Sequence, residues 1–189
     1  MPLAENYPKM TPEEYLVWEE KQLEKHEYVA GEIFCHAGAK KSHNLAALNL
    51  ASELRMALKG TPCQTFIADM RVRIKEADCY FYPDVVVTCS ERDNESELHL
   101  ENPSFIAEVL SDATAAWDQN GKFEFYRRIP ELREYMTIDP EHRSVQLFRK
   151  SKSGGWMLVE LHGVEDIRLE SLNASILRRE IFPEEPSNG

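Results

Sequence analysis

Long apolar segments are absent from this sequence. Nowhere in its 189 residues does a stretch approach the roughly 18 uninterrupted apolar residues that a membrane-spanning helix needs. The opening residues, MPLAENYPKM, also lack the apolar core of a signal peptide. We therefore expect a cytoplasmic protein with no membrane partner.

Clustered cysteines and histidines are also absent. The cysteines are widely spaced and form no CxxC pair: Cys35, Cys63, Cys79 and Cys89. A structural zinc site needs clustered ligands, and His26, His36 and His43 match no such spacing. In a reducing compartment the cysteines are expected to be free thiols, mostly buried in or beside strands.

Positive charge is in short supply. The chain has 22 Lys and Arg against 33 Asp and Glu, a net charge of −11, whereas proteins that bind duplex DNA non-specifically normally present a basic surface. The total does not exclude nucleic acid, because only the charge of the face near the ligand matters. Three small basic clusters exist, and on spacing alone each is more simply a solvated surface: Lys40-Lys41, Arg71/Arg73/Lys75 and Arg127-Arg128.

Three segments carry helical signals. Thr11-Pro12-Glu13-Glu14 predicts a helix that begins with a capping box. Apolar residues at helical spacing predict a second helix over His43–Lys59, and a third runs from about Asp118 to Arg128. The buried side of the first helix is expected to contain Tyr15, Trp18 and Leu23.

Strand-like runs are interspersed with these helices. They lie at His26–Cys35, Thr65–Ile74, Tyr82–Cys89, Phe105–Leu110 and Arg133–Pro140, with a meander of short strands after them. The polar segment between Cys89 and Phe105 is expected to be an exposed loop. This order favours an α/β (α+β) fold in which helices flank a mixed sheet. The length predicts one domain over residues 1–182, followed by a disordered tail over residues 183–189.

Two carboxylates interrupt apolar strands of the predicted core. Asp84 follows Pro83 at the start of a buried strand, and Glu108 lies within an apolar run where an unpaired Glu would be costly. Carboxylates on neighbouring strands repel each other, and a shared divalent metal ion resolves that repulsion. The structural alternative is that Asp84 caps a turn and Glu108 pairs with a nearby Arg.

Lys122 completes the candidate active site. It lies on the first turn of the helix that follows the Glu108 strand. From there a Lys side chain can point back over the sheet toward both carboxylates, although a solvent-facing position is the commonest one for Lys. Together Asp84, Glu108 and Lys122 predict catalysis.

Seven sequence runs, taken together, resemble those of a known family. In chain order they are HEYVAGEI, HNLAALNL, ADMRVRI, YPDVVV, IAEVLS, GKFEFYRR and EYMTID. From about Met10 to Phe182 the chain resembles the Uma-type restriction endonuclease family, long filed as a domain of unknown function within the PD-(D/E)xK nuclease superfamily. The resemblance implies a restriction endonuclease-like mixed β-sheet flanked by helices, with a C-terminal β meander.

The resemblance also implies roles for the candidate residues. Asp84 corresponds to the Asp of the PD motif and Glu108 to the (D/E) position. Leu110 occupies the usual Lys position, and Lys122 replaces that Lys from the next helix. Asp84, Glu108 and the Val109 carbonyl would hold Mg²⁺ or Mn²⁺, while Lys122 would orient the attacking water.

Two further acidic residues match the family pattern ahead of the core. Glu32, or less favourably Glu27, is expected to be an outer metal ligand or helper base. Departures from the pattern are few: Ala30 stands where Asp is frequent, Asp112-Ala113 replaces Pro-Ser, and Gly121 replaces Glu. The last two departures could alter how the Lys122 helix begins.

The implied function is metal-dependent cleavage of nucleic acid, with DNA as the first candidate. Substrate contacts are predicted for His43, Lys41, Arg71, Arg73 and Glu27. Lys40 and Arg127 are expected to join the basic residues at the mouth of the site, if necessary across a homodimer. The alternatives are a catalytically silent binding protein with a nuclease fold and a phosphodiesterase that acts on a small nucleotide.

Overall fold

The computed structural model describes residues 7–35, 40–111, 117–161 and 165–182, with the backbone alone for residues 118–120. Its α-helices are α1 (Pro12–Glu19), α2 (Lys41–Ala57), α3 (Phe123–Tyr126) and α4 (Arg178–Ile181). Its strands are β1 (His26–Val29), β2 (Glu32–Cys35), β3 (Gln64–Ile67), β4 (Arg71–Ile74), β5 (Cys79–Phe81), β6 (Val85–Thr88), β7 (His99–Leu100), β8 (Pro103–Val109), β9 (Glu134–Asp139), β10 (Ser144–Lys150), β11 (Trp156–Val159), β12 (Asp166–Leu169) and β13 (Ala174–Leu177).

The strands form two mixed sheets and one hairpin. Sheet A has the order β2-β1-β5-β4-β7, sheet B has the order β11-β10-β9-β8-β6-β3, and β12 pairs with β13. The β4–β7 and β8–β9 pairs are parallel, and the other pairs are antiparallel. The predicted mixed sheet flanked by helices is confirmed, with β9, β10 and β11 as an antiparallel meander.

Side-chain alternation gives each sheet two buried faces. In sheet B, Val85 and Val87 pack with α2, whereas Val86 packs with residues of sheet A. In sheet A, Phe81 faces sheet B, and Tyr80 faces α1. The order of layers is therefore α1, sheet A, sheet B and α2. No helix within the described ranges is long and apolar enough to cross a membrane.

The start of α1 confirms the predicted capping box. The Thr11 hydroxyl accepts the Glu14 N–H at 3.2 Å, and the Glu14 carboxylate accepts the Thr11 N–H at 2.8 Å. Tyr15 is fully buried, as expected, but Leu23 is fully exposed. The prediction for Leu23 was wrong because α1 ends at Glu19, before the next helical turn could bury that side chain.

The predicted strand Thr65–Ile74 is in fact two strands in different sheets. The chain leaves β3 at Ala68, whose φ of 47° lies in the left-handed region, and then enters β4. β3 pairs with β6 in sheet B, whereas β4 pairs with β5 in sheet A. A continuous run of β-forming residues does not reveal this break, because both halves satisfy the same alternation.

The segment expected to be an exposed loop is tied to the core. It contains a short 3₁₀ turn and β7, which extends sheet A. Asp93 is buried, and its carboxylate accepts the Thr88 hydroxyl at 2.6 Å and the N–H of Glu101 at 2.9 Å. A polar segment of this kind can still be ordered, because one buried carboxylate accepts several of its donors.

The third predicted helix is shorter and differently wound than expected. A π-helical turn, Trp117–Lys122, leads directly into α3. A side chain at Gly121 would place its Cβ 1.9 Å from a Trp117 ring atom, so the glycine is required by this packing. Residues 112–113 and 183–189, for which predictions were made, lie outside the described ranges.

Glu134, in the EYMTID run, is a buried carboxylate with a structural role. It is fully buried, and it accepts hydrogen bonds from Arg149 Nε at 2.7 Å and from the Ser171 N–H at 2.9 Å. These contacts join β9 and β10 to the turn between β12 and β13. A buried carboxylate satisfied in this way stabilises tertiary structure.

The expectation of free thiols is wrong for two cysteines. Cys63 and Cys89 form a disulfide, whereas Cys35 and Cys79 remain thiols. The β3–β6 register pairs Gln64 with Thr88, so its continuation brings Cys63 opposite Cys89. Burial raises the pKa of the Cys79 thiol to about 12, which makes that thiol unreactive while the protein is folded.

We expect denatured, unreduced protein to release two equivalents of thiol and reduced protein to release four, measured with Ellman's reagent. Reduction should lower the free energy of unfolding by about 3 kcal/mol, because the disulfide restricts the unfolded chain. Urea melts with and without a dithiol reductant measure this difference. Four equivalents of thiol before reduction would mean that all four cysteines are free, as the sequence predicts.

Candidate active site

Asp84 lies where the chain enters sheet B, immediately before β6. It is 9% exposed, and its Oδ2 accepts the Val109 N–H at 2.7 Å. The Nε2 atom of His43 lies 3.3 Å from the same oxygen. Asp84 is therefore held by β8 on one side and by the beginning of α2 on the other.

Asp84 and Glu108 lie at neighbouring positions of sheet B. The β6–β8 register pairs Val85 with Ala107, so its continuation brings Asp84 opposite Glu108. Because the Val109 N–H points toward Asp84, the Asp84–Glu108 position is a non-hydrogen-bonded pair, in which Cα atoms are about 4.5 Å apart. The Glu108 carboxylate contacts Lys122 in the layer between the two sheets, whereas the Asp84 carboxylate contacts His43 of α2.

Lys122 lies between two buried carboxylates. Its Nζ atom is 2.8 Å from Glu27 Oε1 and 3.3 Å from Glu108 Oε1. Glu27 belongs to sheet A and Glu108 to sheet B, and all three residues are at most 5% exposed. The ammonium group therefore connects the two sheets through a desolvated ion-pair network.

Tyr126 adds a second donor to Glu108. Its hydroxyl donates to Glu108 Oε1 at 2.8 Å. Full burial, followed by the nearby charges of Glu108 and Glu27, raises the tyrosine pKa well above its usual value. The phenol consequently stays protonated and acts as a hydrogen-bond donor at any ordinary pH.

Val109 presents its backbone to the same place. In a strand the N–H and C=O of one residue point to the same side, so the Val109 carbonyl points, like its N–H, toward Asp84. The continued register brings Pro83 opposite Val109, and proline has no N–H to donate. The Pro-Asp pair therefore leaves this carbonyl without the ladder donor that another residue would supply.

The oxygen donors of this site fit a hard divalent cation. Mg²⁺ commonly takes one or two carboxylates and completes its octahedron with water. The described part of the chain contains no convergent group of three His, Cys, Asp or Glu side chains, so the fit depends on two carboxylates, the Val109 carbonyl and water.

Thr137 places a buried hydroxyl at the position next to Glu108. Thr137 pairs with Glu108 in the β8–β9 register and is 1% exposed. Among the described residues, no hydrogen-bond partner reaches this hydroxyl. Leaving a buried hydroxyl unsatisfied is costly, and a bound water would remove that cost.

His43 and Lys41 border the site on α2. His43 contacts Asp84 with its side chain 14% exposed, and Lys41 is the exposed first residue of the helix. The structure therefore brings His43 to Asp84. Contact of either residue with a substrate phosphate stays a prediction.

Glu27, and not Glu32, is the acidic residue that contacts Lys122. Glu32 lies 3.7 Å from Lys9 at the surface, with its side chain 44% exposed. Glu27 and Val29 are two residues apart in β1, so their side chains point to the same face of sheet A. Glu32 pairs directly with Val29 and therefore lies on that face too. The predicted role of Glu32 as helper base stays a prediction.

Arg71 and Arg73 are not gathered around the carboxylates. Arg71 and Arg73 lie on the α1 face of sheet A, in register with Tyr82 and Tyr80, whereas Glu27 lies on the other face. Arg73 lies 3.7 Å from Glu101. Outside sheet A, Lys40 pairs with Glu141 and Arg127 pairs with Glu124. The structure does not show the predicted basic rim, and substrate binding by these residues stays a prediction.

Sequence reasoning missed Tyr126 and Thr137. Tyr126 lies four residues after Lys122, which places both on one face of a helix, and this spacing could have indicated it. Thr137 is a single polar residue in an apolar strand. Its proximity to Glu108 depends on the parallel pairing of β8 with β9, which no local pattern reveals.

A family model for Uma2, described as putative restriction endonuclease, matches residues 12–178. The chain belongs to the Uma2 family. The resemblance recognised in the seven sequence runs is therefore confirmed. The matched residues include every member of the candidate site, from Glu27 to Thr137.

Three known proteins are similar to this chain over most of their length. The uncharacterized protein slr1290 of Synechocystis sp. PCC 6803 is 35% identical over 169 residues, which cover 89% of each chain. The uncharacterized protein sll1609 of the same organism is 43% identical over 157 residues, covering 82% of this chain and 88% of its own. A crystal structure of a putative nuclease belonging to DUF820 from Anabaena variabilis superposes with a TM-score of 0.74 and 16% identity, covering 91% of this chain and 97% of that one. This comparison shows that the Uma2 chain and the Anabaena variabilis protein have the same fold.

Removal of the Lys122 ammonium should destabilise this Uma2 protein. Lys122→Ala leaves Glu27 and Glu108 buried without their shared cation, so we expect the free energy of unfolding to fall by about 3 kcal/mol. Urea denaturation measures the change. The exposed Lys59→Ala is the matched control and should stay within about 0.5 kcal/mol of wild type.

The double variant Lys122→Ala/Glu108→Gln separates charge from packing. The Gln removes one buried charge and can still accept the Tyr126 hydroxyl, so part of the lost stability should return. If the double variant were less stable than Lys122→Ala, the ion-pair account of this cluster would be wrong.

Proposed function

We propose that this protein is a divalent-metal-dependent nuclease that hydrolyses phosphodiester bonds, with DNA as its first candidate substrate. The observation that carries the proposal is the convergence of Glu108, Lys122 and Glu27 within 3.3 Å contacts beside Asp84. Carboxylates and a lysine on the strands and the following helix are the groups that this chemistry requires. Membership of the Uma2 family supports the same reaction class.

Each residue has a role that follows from its position. Asp84, Glu108 and the Val109 carbonyl would hold Mg²⁺ or Mn²⁺, which when bound supplies an acidified water and neutralises charge on the phosphate. Lys122 would orient the attacking water and offset developing negative charge. Glu27 would hold the Lys122 ammonium, and His43 would restrict the rotation of Asp84.

A phosphodiesterase acting on a small nucleotide is the second candidate. It is favoured by the net charge of −11 and by the ion pairs that already engage Lys40, Arg73 and Arg127. A small nucleotide needs no extended basic groove, whereas duplex DNA does. A homodimer that builds such a groove from two subunits would make duplex DNA the favoured substrate again.

The direct test is a cleavage assay with Mg²⁺ or Mn²⁺ on duplex DNA, single-stranded DNA, RNA and a dinucleotide. We expect the wild type to cleave. The cleavage rate should fall by roughly 100-fold or more in Asp84→Asn, Glu108→Gln and Lys122→Ala. The exposed Glu180→Gln serves as the matched control. Cleavage of the dinucleotide alone would select the second candidate.

The same assay separates the two acidic residues of sheet A. Because Glu27 contacts Lys122 and Glu32 contacts Lys9, Glu27→Gln should lose far more activity than Glu32→Gln. The reverse order would return the helper role to Glu32.

Metal binding can be measured without any substrate. Mn²⁺ that binds only the folded protein should raise the melting temperature on the order of 5–10 °C at about a hundred times its dissociation constant. Asp84→Asn and Glu108→Gln should lose the shift, and Lys122→Ala should keep it. Thermal melts in EDTA and in Mn²⁺ compare these variants. A wild-type protein with no shift at millimolar Mn²⁺ would favour a catalytically silent binding protein.

A further inference from the structure

The hydroxyl of Tyr126 and the ammonium of Lys122 meet at one carboxylate oxygen. Tyr126 donates to Glu108 Oε1 at 2.8 Å, and Lys122 Nζ lies 3.3 Å from the same atom. Both donors come from one helical segment, because α3 follows directly on the turn that ends at Lys122. Tyr126 is fully buried, so solvent does not compete for this bond.

The two donors differ in how firmly they are held. The Tyr126 ring packs between Phe81 of sheet A and Tyr135 of sheet B, with ring centroids 5.5 Å and 5.7 Å away. A tyrosine hydroxyl is fixed once its ring is fixed. Lys122 instead carries its charge on a flexible stem and divides its contacts between Glu108 and Glu27. The Tyr126 hydroxyl is therefore the more rigid of the two groups that orient the Glu108 carboxylate.

We infer that Tyr126 is a positioning residue whose hydroxyl sets the rotation of the Glu108 carboxylate for binding a divalent cation. The inference rests on the proposed function. Tyr126 acts through Glu108 and needs no contact with the substrate or with the attacking water. Carboxylates that ligate metals are commonly held by such hydrogen bonds, and loss of one lowers metal affinity or activity by roughly 10–100-fold.

The test compares Tyr126→Phe with Tyr28→Phe. Both changes remove a buried phenol that donates to a carboxylate, since Tyr28 donates to Asp78 Oδ2 at 3.0 Å in the layer between α1 and sheet A. Binding of Mn²⁺ is measured by calorimetry without nucleic acid, and kcat and KM are then measured at saturating Mn²⁺. We expect Tyr126→Phe to raise the dissociation constant of Mn²⁺ by roughly 10-fold or more and to lower kcat, with substrate KM unchanged. Tyr28→Phe should change neither quantity.

A second measurement needs no activity and no metal. Tyr126→Phe and Glu108→Ala are combined in a double-mutant cycle on the melting temperature in EDTA. The two changes should be non-additive, because each removes the same hydrogen bond, whereas Tyr28→Phe with Glu108→Ala should be additive. Additive shifts for Tyr126 and Glu108 would overturn the inference.

The remaining outcomes distinguish the inference from the proposed function. If wild type binds Mn²⁺ and cleaves, and Tyr126→Phe behaves like Tyr28→Phe, the positioning role is wrong and the nuclease proposal stands. If wild type neither binds Mn²⁺ nor cleaves any phosphodiester, the proposed function fails and the inference fails with it.

Discussion

A single ammonium group between two buried carboxylates connects the main layers of this protein. Lys122 contacts Glu27 in sheet A and Glu108 in sheet B, and all three are removed from solvent. An unpaired charge in such a place is strongly destabilising, so the sheets and the helical segment must meet in the arrangement that pairs these groups. Apolar packing holds the layers together, and this charge network restricts how they can be aligned.

The position of Asp84 follows from backbone geometry as much as from its own side chain. Pro83 interrupts the hydrogen-bond ladder just before β6, and the Val109 N–H turns to the Asp84 carboxylate instead. The same interruption leaves the Val109 carbonyl directed at the site. The Pro-Asp pair at the beginning of β6 thus brings two kinds of oxygen together. One is the Asp84 carboxylate, and the other is the Val109 carbonyl of the neighbouring strand.

The acidic surface and the candidate chemistry are compatible because they concern different parts of the molecule. The net charge of −11 describes the whole chain, whereas a reacting phosphate responds to the potential within a few ångströms of it. Near the carboxylates the closest cation is the Lys122 ammonium, 3.3 Å from Glu108 Oε1. Arg71 and Arg73 lie on the other face of sheet A, over the rings of Tyr82 and Tyr80.

The sequence by itself determined the features that depend on neighbours in the chain. The capping box at Thr11, the strands that carry Asp84 and Glu108, and the helical position of Lys122 all follow from local spacing, which governs hydrogen bonding and side-chain direction. The seven runs were also sufficient to indicate the family.

Only the tertiary structure decided which distant side chains meet. The disulfide between Cys63 and Cys89, the contact of Glu27 with Lys122, and the hydroxyl of Tyr126 at Glu108 each join segments that are far apart in sequence. The division of one apolar run into β3 and β4 has the same origin. Local periodicity is satisfied equally well by several strand registers, and only the packing of whole layers selects the register that brings Lys122 to Glu27 and Glu108.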